Sequence, residues 1–207
     1  MNGIPNMKFH SYLETLLGSR VMIRLLQTLV NQKGRVFTVR RLAQAAGVSA
    51  SEAGVAVQQL ERYGVLRVQP AGRSYVLSLN NDSYVLDKIL QPAIKAERDT
   101  LPTLVRLLQK HLSGKPIVSA ALFGSLASGD EREDSDIDLF IVSDDFDGSI
   151  AKMIDAQDLV SSTFNKHLSP LVMGKKKFIS KKDEPLVRSI MANHIMVAGK
   201  DLSELVR

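Results

Sequence analysis

Several features are missing from this sequence of 207 residues, and each absence excludes a class of protein. It contains no cysteine, which excludes a disulfide framework and any thiol chemistry. Its four histidines are scattered without metal-ligand spacing, so a zinc site is not expected. No apolar run approaches the roughly 20 residues that cross a bilayer, and the N-terminus lacks the apolar core of a signal peptide. We therefore expect a cytoplasmic protein with no membrane partner.

Basic residues are unevenly distributed along the chain. Residues 1–80 contain ten Lys and Arg against three Asp and Glu, a net charge of +7. Residues 81–207 contain seventeen against nineteen, a net charge of −2. A basic region favours a polyanionic partner, although the same charge could simply be solvated surface.

The apolar residues of the first part follow helical and strand spacing in a definite order. Thr38 and Ser49 are good helix N-caps, and Gly47 permits the turn between two helices. The residues Pro70, Gly72 and Arg73 suit a tight turn with a basic tip. The predicted elements are a helix at 19–31, a strand at 36–38, helices at 39–46 and 50–63, and strands at 65–69 and 74–79.

This order of elements resembles the winged helix-turn-helix family, as do the segments at 42–49 and 59–66. The resemblance implies that the helix at 50–63 enters the major groove of double-stranded DNA, with arginines on phosphates. Base contacts would come from Ser49, Ser51, Glu52 and Gln58, and phosphate contacts from Arg40, Arg41, Arg62, Arg67 and Arg73. The alternative is a winged helix that mediates only protein contacts.

Residues 81–114 are predicted to be a helical connector. Paired apolar positions at a spacing of four run through residues 83–99, and Pro92 predicts a kink or an early stop. Pro102 fits the first turn of a second helix, which Asp99 or Thr100 would cap. These helices could pack on the C-terminal domain or pair two subunits as a homodimer.

An apolar segment of the C-terminal part contains two carboxylates, Asp136 and Asp138. Residues 116–123 and 136–142 are both predicted to be buried strands, and Gly124-Ser125 directly follows the first. Asp136 and Asp138 project from one face of the second strand, where their like charges repel and lose solvation. A divalent cation removes that penalty, and carboxylate oxygens suit Mg²⁺, which also accepts phosphate oxygens.

The pattern of Gly124-Ser125, ten residues, and then Asp136-Ile137-Asp138 closely resembles the G-S-x10-D-x-D signature of the polymerase-beta-like nucleotidyltransferase superfamily. The resemblance implies that a nucleoside triphosphate (NTP) binds over Gly124 and Ser125, while Asp136 and Asp138 hold Mg²⁺ or Mn²⁺. In that family an acceptor hydroxyl attacks the α-phosphate and pyrophosphate leaves, with metals stabilising both oxygens.

Two positions depart from the family pattern. Active members carry a third carboxylate on a later strand, and the residue that aligns with it here is Ser169. Many relatives also place an arginine where this chain has Ser128. Loss of the third acid could remove the group that activates the acceptor while leaving nucleotide binding intact.

Together these patterns predict an α+β protein with a mixed sheet in its C-terminal domain. The expected domains are a winged helix-turn-helix at 1–80, a helical connector at 81–114 and a nucleotidyltransferase-like domain at 115–207. One hypothesis is a DNA-binding transcriptional regulator whose second domain transfers a nucleotidyl group to a protein or RNA acceptor, within a toxin–antitoxin pair for example. The other is a catalytically inactive fold that serves such a regulator as a sensor or dimerisation module.

Overall fold

A computed structural model describes residues 12–72 and 74–206 of the chain. The chain divides into two compact units, residues 1–99 and residues 100–207, which are called the N-terminal and C-terminal units below. The predicted connector is divided at that boundary, because its first helices belong to the N-terminal unit and its last helix to the C-terminal unit. Within the described residues, no helix combines the length and apolar character needed to cross a membrane.

The N-terminal unit contains helices followed by a two-stranded antiparallel hairpin. Three helices begin at residues whose hydroxyl accepts a backbone N–H bond, namely Ser19, Thr38 and Ser49. The sequence predicts the caps at Thr38 and Ser49. Gly47 ends the second of them in the left-handed conformation. The elements are α1 (Tyr12–Leu17), α2 (Arg20–Asn31), α3 (Val39–Ala46), α4 (Ala50–Arg62), β1 (Leu66–Ala71), β2 (Ser74–Leu79) and α5 (Gln91–Arg98).

The strand predicted at residues 36–38 is reduced to a single bridge. Phe37 pairs with Leu77 of β2 and accepts the Leu77 N–H at 2.7 Å. The Phe37 side chain is buried in the core that α2, α3 and α4 share. One aromatic side chain packed in the core, together with one main-chain bond, fixes this segment without a regular strand.

Of the kink or early stop predicted at Pro92, the stop does not occur. A π-helical turn at Leu86–Leu90 leads directly into α5, and the Gln91 N–H reaches back to the carbonyl of Leu86. Pro92 therefore falls in the first turn of α5, a position where proline is tolerated. The apolar face of this segment, including Leu86, Leu90 and Ile94, packs into the N-terminal core.

The C-terminal unit is built on a four-stranded mixed sheet with the order β5-β4-β3-β6. Strand β4 runs antiparallel to β3 and parallel to β5, so the mixed sheet that the sequence predicts is confirmed. The elements are α6 (Thr100–Leu112), β3 (Ser119–Phe123), α7 (Gly124–Ser128), β4 (Ile137–Val142), α8 (Phe146–Phe164), β5 (Leu168–Met173), α9 (Lys175–Ser180), α10 (Pro185–Ala192), β6 (Ile195–Gly199) and α11 (Leu202–Leu205).

Apolar residues cover both faces of this sheet. Ile137, Leu139 and Ile141 of β4 pack with residues of α6 and α8. Phe140 and Val142 face the other side, where they pack with residues of α9, α10 and α11. Side chains alternate along a strand, so Asp138 lies on the same face as Phe140, at the beginning of β4.

Candidate functional site

Strand pairing brings the predicted site residues of the C-terminal unit to one edge of the sheet. Asp138 is in register with Phe123, the last residue of β3, and on its other side with Ser169 of β5. Gly124 and Ser125 directly follow Phe123 at the start of α7. Asp136 directly precedes β4 and is exposed, whereas Asp138 is partly buried. The Gly-Ser turn and the two carboxylates therefore meet at one place.

Gly124 lies directly against the Asp138 carboxyl group. A Cβ atom at residue 124 would overlap Oδ2 of Asp138, and the φ angle of +71° disfavours any side chain there. The close approach leaves the backbone of the turn open beside the carboxylate. The Ser128 hydroxyl lies 3.1 Å from the carbonyl of Ser125 and 3.3 Å from that of Gly124.

The surroundings of the Asp138 carboxyl group disfavour its charged form. Burial is the main cause that raises its pKa, and the nearby charge of Asp136 raises it further. Within the described residues there is no group of three His, Cys, Asp or Glu side chains that could hold a metal. Two carboxylates fit Mg²⁺, because this ion keeps several waters and takes its remaining ligands from substrate phosphates.

A lysine holds the loop that leads into Asp136. The Lys166 ammonium group donates to the carbonyls of Glu133 at 2.6 Å, Ser135 at 2.9 Å and Arg132 at 3.4 Å. Sequence reasoning missed this residue, because the contact joins positions more than 30 residues apart. No local motif marks it.

Most predicted DNA-binding residues are exposed on α3 and α4. Ser51, Gln58 and Arg62 lie on one face of α4 with the exposed Val55, and Arg40 and Arg41 are exposed in the first turn of α3. A face of this kind is open to a groove or a phosphate backbone.

Four other predicted DNA-binding residues have a different status. Ser49 and Glu52 form a capping box, with the hydroxyl of Ser49 donating to the Glu52 carboxylate at 2.6 Å. The side-chain bond from Ser49, followed by the backbone bond, lowers the pKa of Glu52. Arg67 forms an ion pair with Asp82. Arg73 lies outside the described residues.

Arg35 is a basic residue of the N-terminal unit that sequence reasoning did not select. Its guanidinium group lies 5.5 Å from the centre of the Phe37 ring and donates to Oε1 of Gln32 at 2.9 Å. With Arg41 and Gln44 it lines a shallow depression on the surface. The available signal was its place beside the predicted strand in the basic part of the chain.

Comparison with known protein families identifies the second part of the chain. Residues 103–201 match the family described as "Polymerase beta, Nucleotidyltransferase". This region contains the Gly-Ser turn, both carboxylates and Ser169, and it lies wholly within the C-terminal unit. No curated protein matches the sequence significantly.

Solved structures give only weak likenesses. One is a structure described as a toxin–antitoxin with AMP-PNP, which has 17% sequence identity to this chain and a TM-score of 0.36. The alignment covers 51% of this chain and 79% of the other chain. Another is the archaeal chromatin protein TrmBL2, which has 17% sequence identity to this chain and a TM-score of 0.29. The alignment covers 87% of this chain and 75% of the TrmBL2 chain. Scores this low carry no argument about function. The family match stands by itself: residues 103–201 are similar to polymerase beta nucleotidyltransferase domains.

Proposed function

We propose that the C-terminal unit binds a nucleoside triphosphate together with Mg²⁺ at Gly124, Ser125, Asp136 and Asp138. The observation that carries this proposal is the contact between the Gly124 backbone and the Asp138 carboxyl group. It leaves main chain without a side chain beside Asp138, whose charged form is disfavoured by burial and by the charge of Asp136. This combination suits a ligand that brings phosphate oxygens and a cation together.

Each residue has a distinct part in this proposal. Asp136 and Asp138 would hold Mg²⁺ or Mn²⁺, and the bound ion would offset the charges of the carboxylates and the phosphates. The Ser125 hydroxyl and the backbone around Gly124 would contact a phosphate group. Asp138 is partly buried and Asp136 is exposed. Asp138 would therefore bind the cation on the side of the sheet, and Asp136 would bind it on the side of the solvent.

The reaction proposed for the site is transfer of a nucleotidyl group to a hydroxyl of a protein or RNA acceptor. A second candidate is nucleotide binding without transfer, which would make the domain a sensor or dimerisation module. The register of β4 and β5 favours this second candidate, because Ser169 stands next to Asp138 where active relatives carry a third acid. A role within a toxin–antitoxin pair stays a prediction.

Two measurements test and separate these candidates. Calorimetric titration with each NTP, in Mg²⁺ and again in EDTA, should show Mg²⁺-dependent binding that the Asp136→Asn/Asp138→Asn protein lacks. Incubation with α-³²P-labelled NTP and cell extract should label an acceptor if transfer occurs. Binding without labelling would favour the sensor, and absence of binding with every NTP would refute the site.

For the N-terminal unit we propose a winged helix-turn-helix that binds double-stranded DNA. The exposed faces of α3 and α4 and the charge of +7 over residues 1–80 support it. Ser51 and Gln58 would reach base edges, and Arg40, Arg41 and Arg62 would contact phosphates. Because the capping box holds the side chains of Ser49 and Glu52, these two would contact DNA only if the cap opened.

Fluorescence anisotropy with labelled duplexes tests the DNA proposal. Binding should be tightest to a sequence from the upstream region of the protein's own gene, and it should weaken steeply as salt rises. Affinity that does not change with salt or with sequence would contradict it. Half-sites related by two-fold symmetry would support a homodimer.

A further inference from the structure

The segment that carries Asp136 into the sheet is rich in acidic residues. Residues 130–136 contain five Asp and Glu and one Arg. Like charges so close in sequence repel one another, and the segment contains no helix or strand. Its internal bonds are few: the Arg132 N–H donates to the Ser135 hydroxyl at 3.0 Å, and the Ser135 N–H donates to the Arg132 carbonyl at 3.1 Å.

Lys166 supplies hydrogen bonds and a positive charge to this acidic segment. A lysine ammonium group has three N–H donors, and here they are directed at three main-chain carbonyls within the four residues before Asp136. Bonds from a charged donor are stronger than bonds between neutral groups. The positive charge also reduces the repulsion among the acids. The Ile137 N–H donates to the His167 carbonyl at 2.8 Å. The residue after Lys166 is therefore also bonded to the residue after Asp136.

We propose that Lys166 is the positioning residue of the Mg²⁺–nucleotide site. Its ammonium group fixes the main chain at residues 132–135, so that Asp136 stays beside Asp138 where both can bind one cation. Lys166 acts through Asp136 and not on the phosphates, because its donors point at carbonyl oxygens. This inference rests on the proposed nucleotide-binding function.

Three variants test the role of Lys166. Lys166→Met keeps the length of the side chain and removes the three donors, Lys166→Arg keeps the charge, and Lys110→Met removes an exposed lysine of α6 as the control. The dissociation constant of the NTP that binds the wild-type protein is measured at low and at saturating Mg²⁺, well below the unfolding temperature. Hydrogen exchange of the amides at residues 132–137 is measured on the same proteins without nucleotide.

The anchoring role predicts that these amides exchange about tenfold faster in Lys166→Met than in the wild type. The positioning role predicts that Lys166→Met raises the dissociation constant at low Mg²⁺ by about tenfold. Saturating Mg²⁺ should recover part of the loss. Lys166→Arg should stay within about threefold of the wild type because it keeps charged donors. Lys110→Met should match the wild type in both measurements.

The contrary outcomes are distinct from one another. Unchanged exchange in Lys166→Met overturns the anchoring. Faster exchange with an unchanged dissociation constant overturns the positioning role and leaves the proposed function standing. A wild-type protein that binds no NTP overturns the proposed function and, with it, the positioning role, while the exchange data still decide whether Lys166 anchors the loop.

Discussion

The two units concentrate their candidate functional groups to very different degrees. In the C-terminal unit four residues meet at one edge of a sheet, and one of them, Asp138, is partly buried against the backbone of Gly124. In the N-terminal unit the candidate residues spread over the exposed faces of α3 and α4. Adding one methyl group to the packed site should abolish most of its nucleotide affinity. Removing charges from the open surface should instead lower its DNA affinity in steps.

The largest effect is expected from Gly124→Ala. The new Cβ atom would overlap Asp138 Oδ2 and displace a cation ligand, so nucleotide affinity in Mg²⁺ should fall roughly 100-fold. The left-handed backbone at residue 124 adds a stability cost of about 1–2 kcal/mol. Calorimetric titration and thermal unfolding measure the two effects separately.

Gly129→Ala is the matched control for this variant. Gly129 has a similar φ angle of +77°, but a Cβ atom there would have no neighbour within 4 Å. It should therefore lose a similar stability and keep its nucleotide affinity. Equal affinities for Gly124→Ala and Gly129→Ala would show that the contact with Asp138 is irrelevant to binding.

In the N-terminal unit, Arg40→Ala/Arg41→Ala should weaken DNA binding by about thirtyfold at low salt, because two phosphate contacts are lost. The slope of log affinity against log salt should become shallower by about 1.8. Anisotropy titrations over a salt series measure both quantities. Arg188→Ala, which removes an exposed arginine of α10, should leave both unchanged, and an equal loss there would point to net charge alone.

Ser169→Asp should strengthen metal binding at the packed site. The register places this position next to Asp138 on the neighbouring strand, within about 5 Å of backbone spacing. A third carboxylate there should tighten Mn²⁺ binding without nucleotide by roughly fivefold, as measured by electron paramagnetic resonance. Ser162→Asp, on an exposed face of α8, is the control. Weaker or unchanged Mn²⁺ binding in Ser169→Asp would place the cation elsewhere.

The smallest effect concerns the stability of the protein without ligands. Because burial and Asp136 raise the pKa of Asp138 in the folded state, its protonation stabilises the fold. That stability is fully present below the unfolded pKa of about 3.9 and is lost as pH rises through the folded pKa. Asp138→Asn should therefore unfold about 1–3 °C higher than the wild type at pH 7.

The Tm difference between Asp138→Asn and the wild type should shrink towards zero as pH falls to about 3.5. Differential scanning calorimetry over a pH series measures this difference. A difference that stays constant with pH would mean that the charge of Asp138 carries no penalty in the folded protein.

Structural features that depend only on residues close in sequence were predicted well. The helix caps at Thr38 and Ser49 are confirmed, because a cap depends on neighbours two or three residues away. The two central strands of the C-terminal sheet are confirmed within three residues at their ends, since continuous apolar runs mark buried strands.

Other features were missed or differ from the prediction, because they depend on distant contacts or on local geometry without a sequence pattern. The segment at 36–38 forms one bridge because its pairing depends on a residue 40 positions away. Of the kink or early stop predicted at Pro92, the stop does not occur, because a π-helical turn places the proline where a helix tolerates it. Helix α1, which buries Leu16, is too short to show a periodic pattern. Lys166 was missed because only the fold brings it to the loop before Asp136.

Thermal unfolding in Mg²⁺ with each NTP tests the central claim most directly, with the Asp136→Asn/Asp138→Asn protein measured alongside. A ligand at a hundred times its Kd stabilises by about 2.7 kcal/mol. This corresponds to a rise in Tm of roughly 5–10 °C for a chain of this size, if the bound unit sets the transition. We expect that rise with at least one NTP in the wild type and none in the variant. An equal rise in both proteins, or none with any NTP, would contradict a nucleotide site at the two carboxylates.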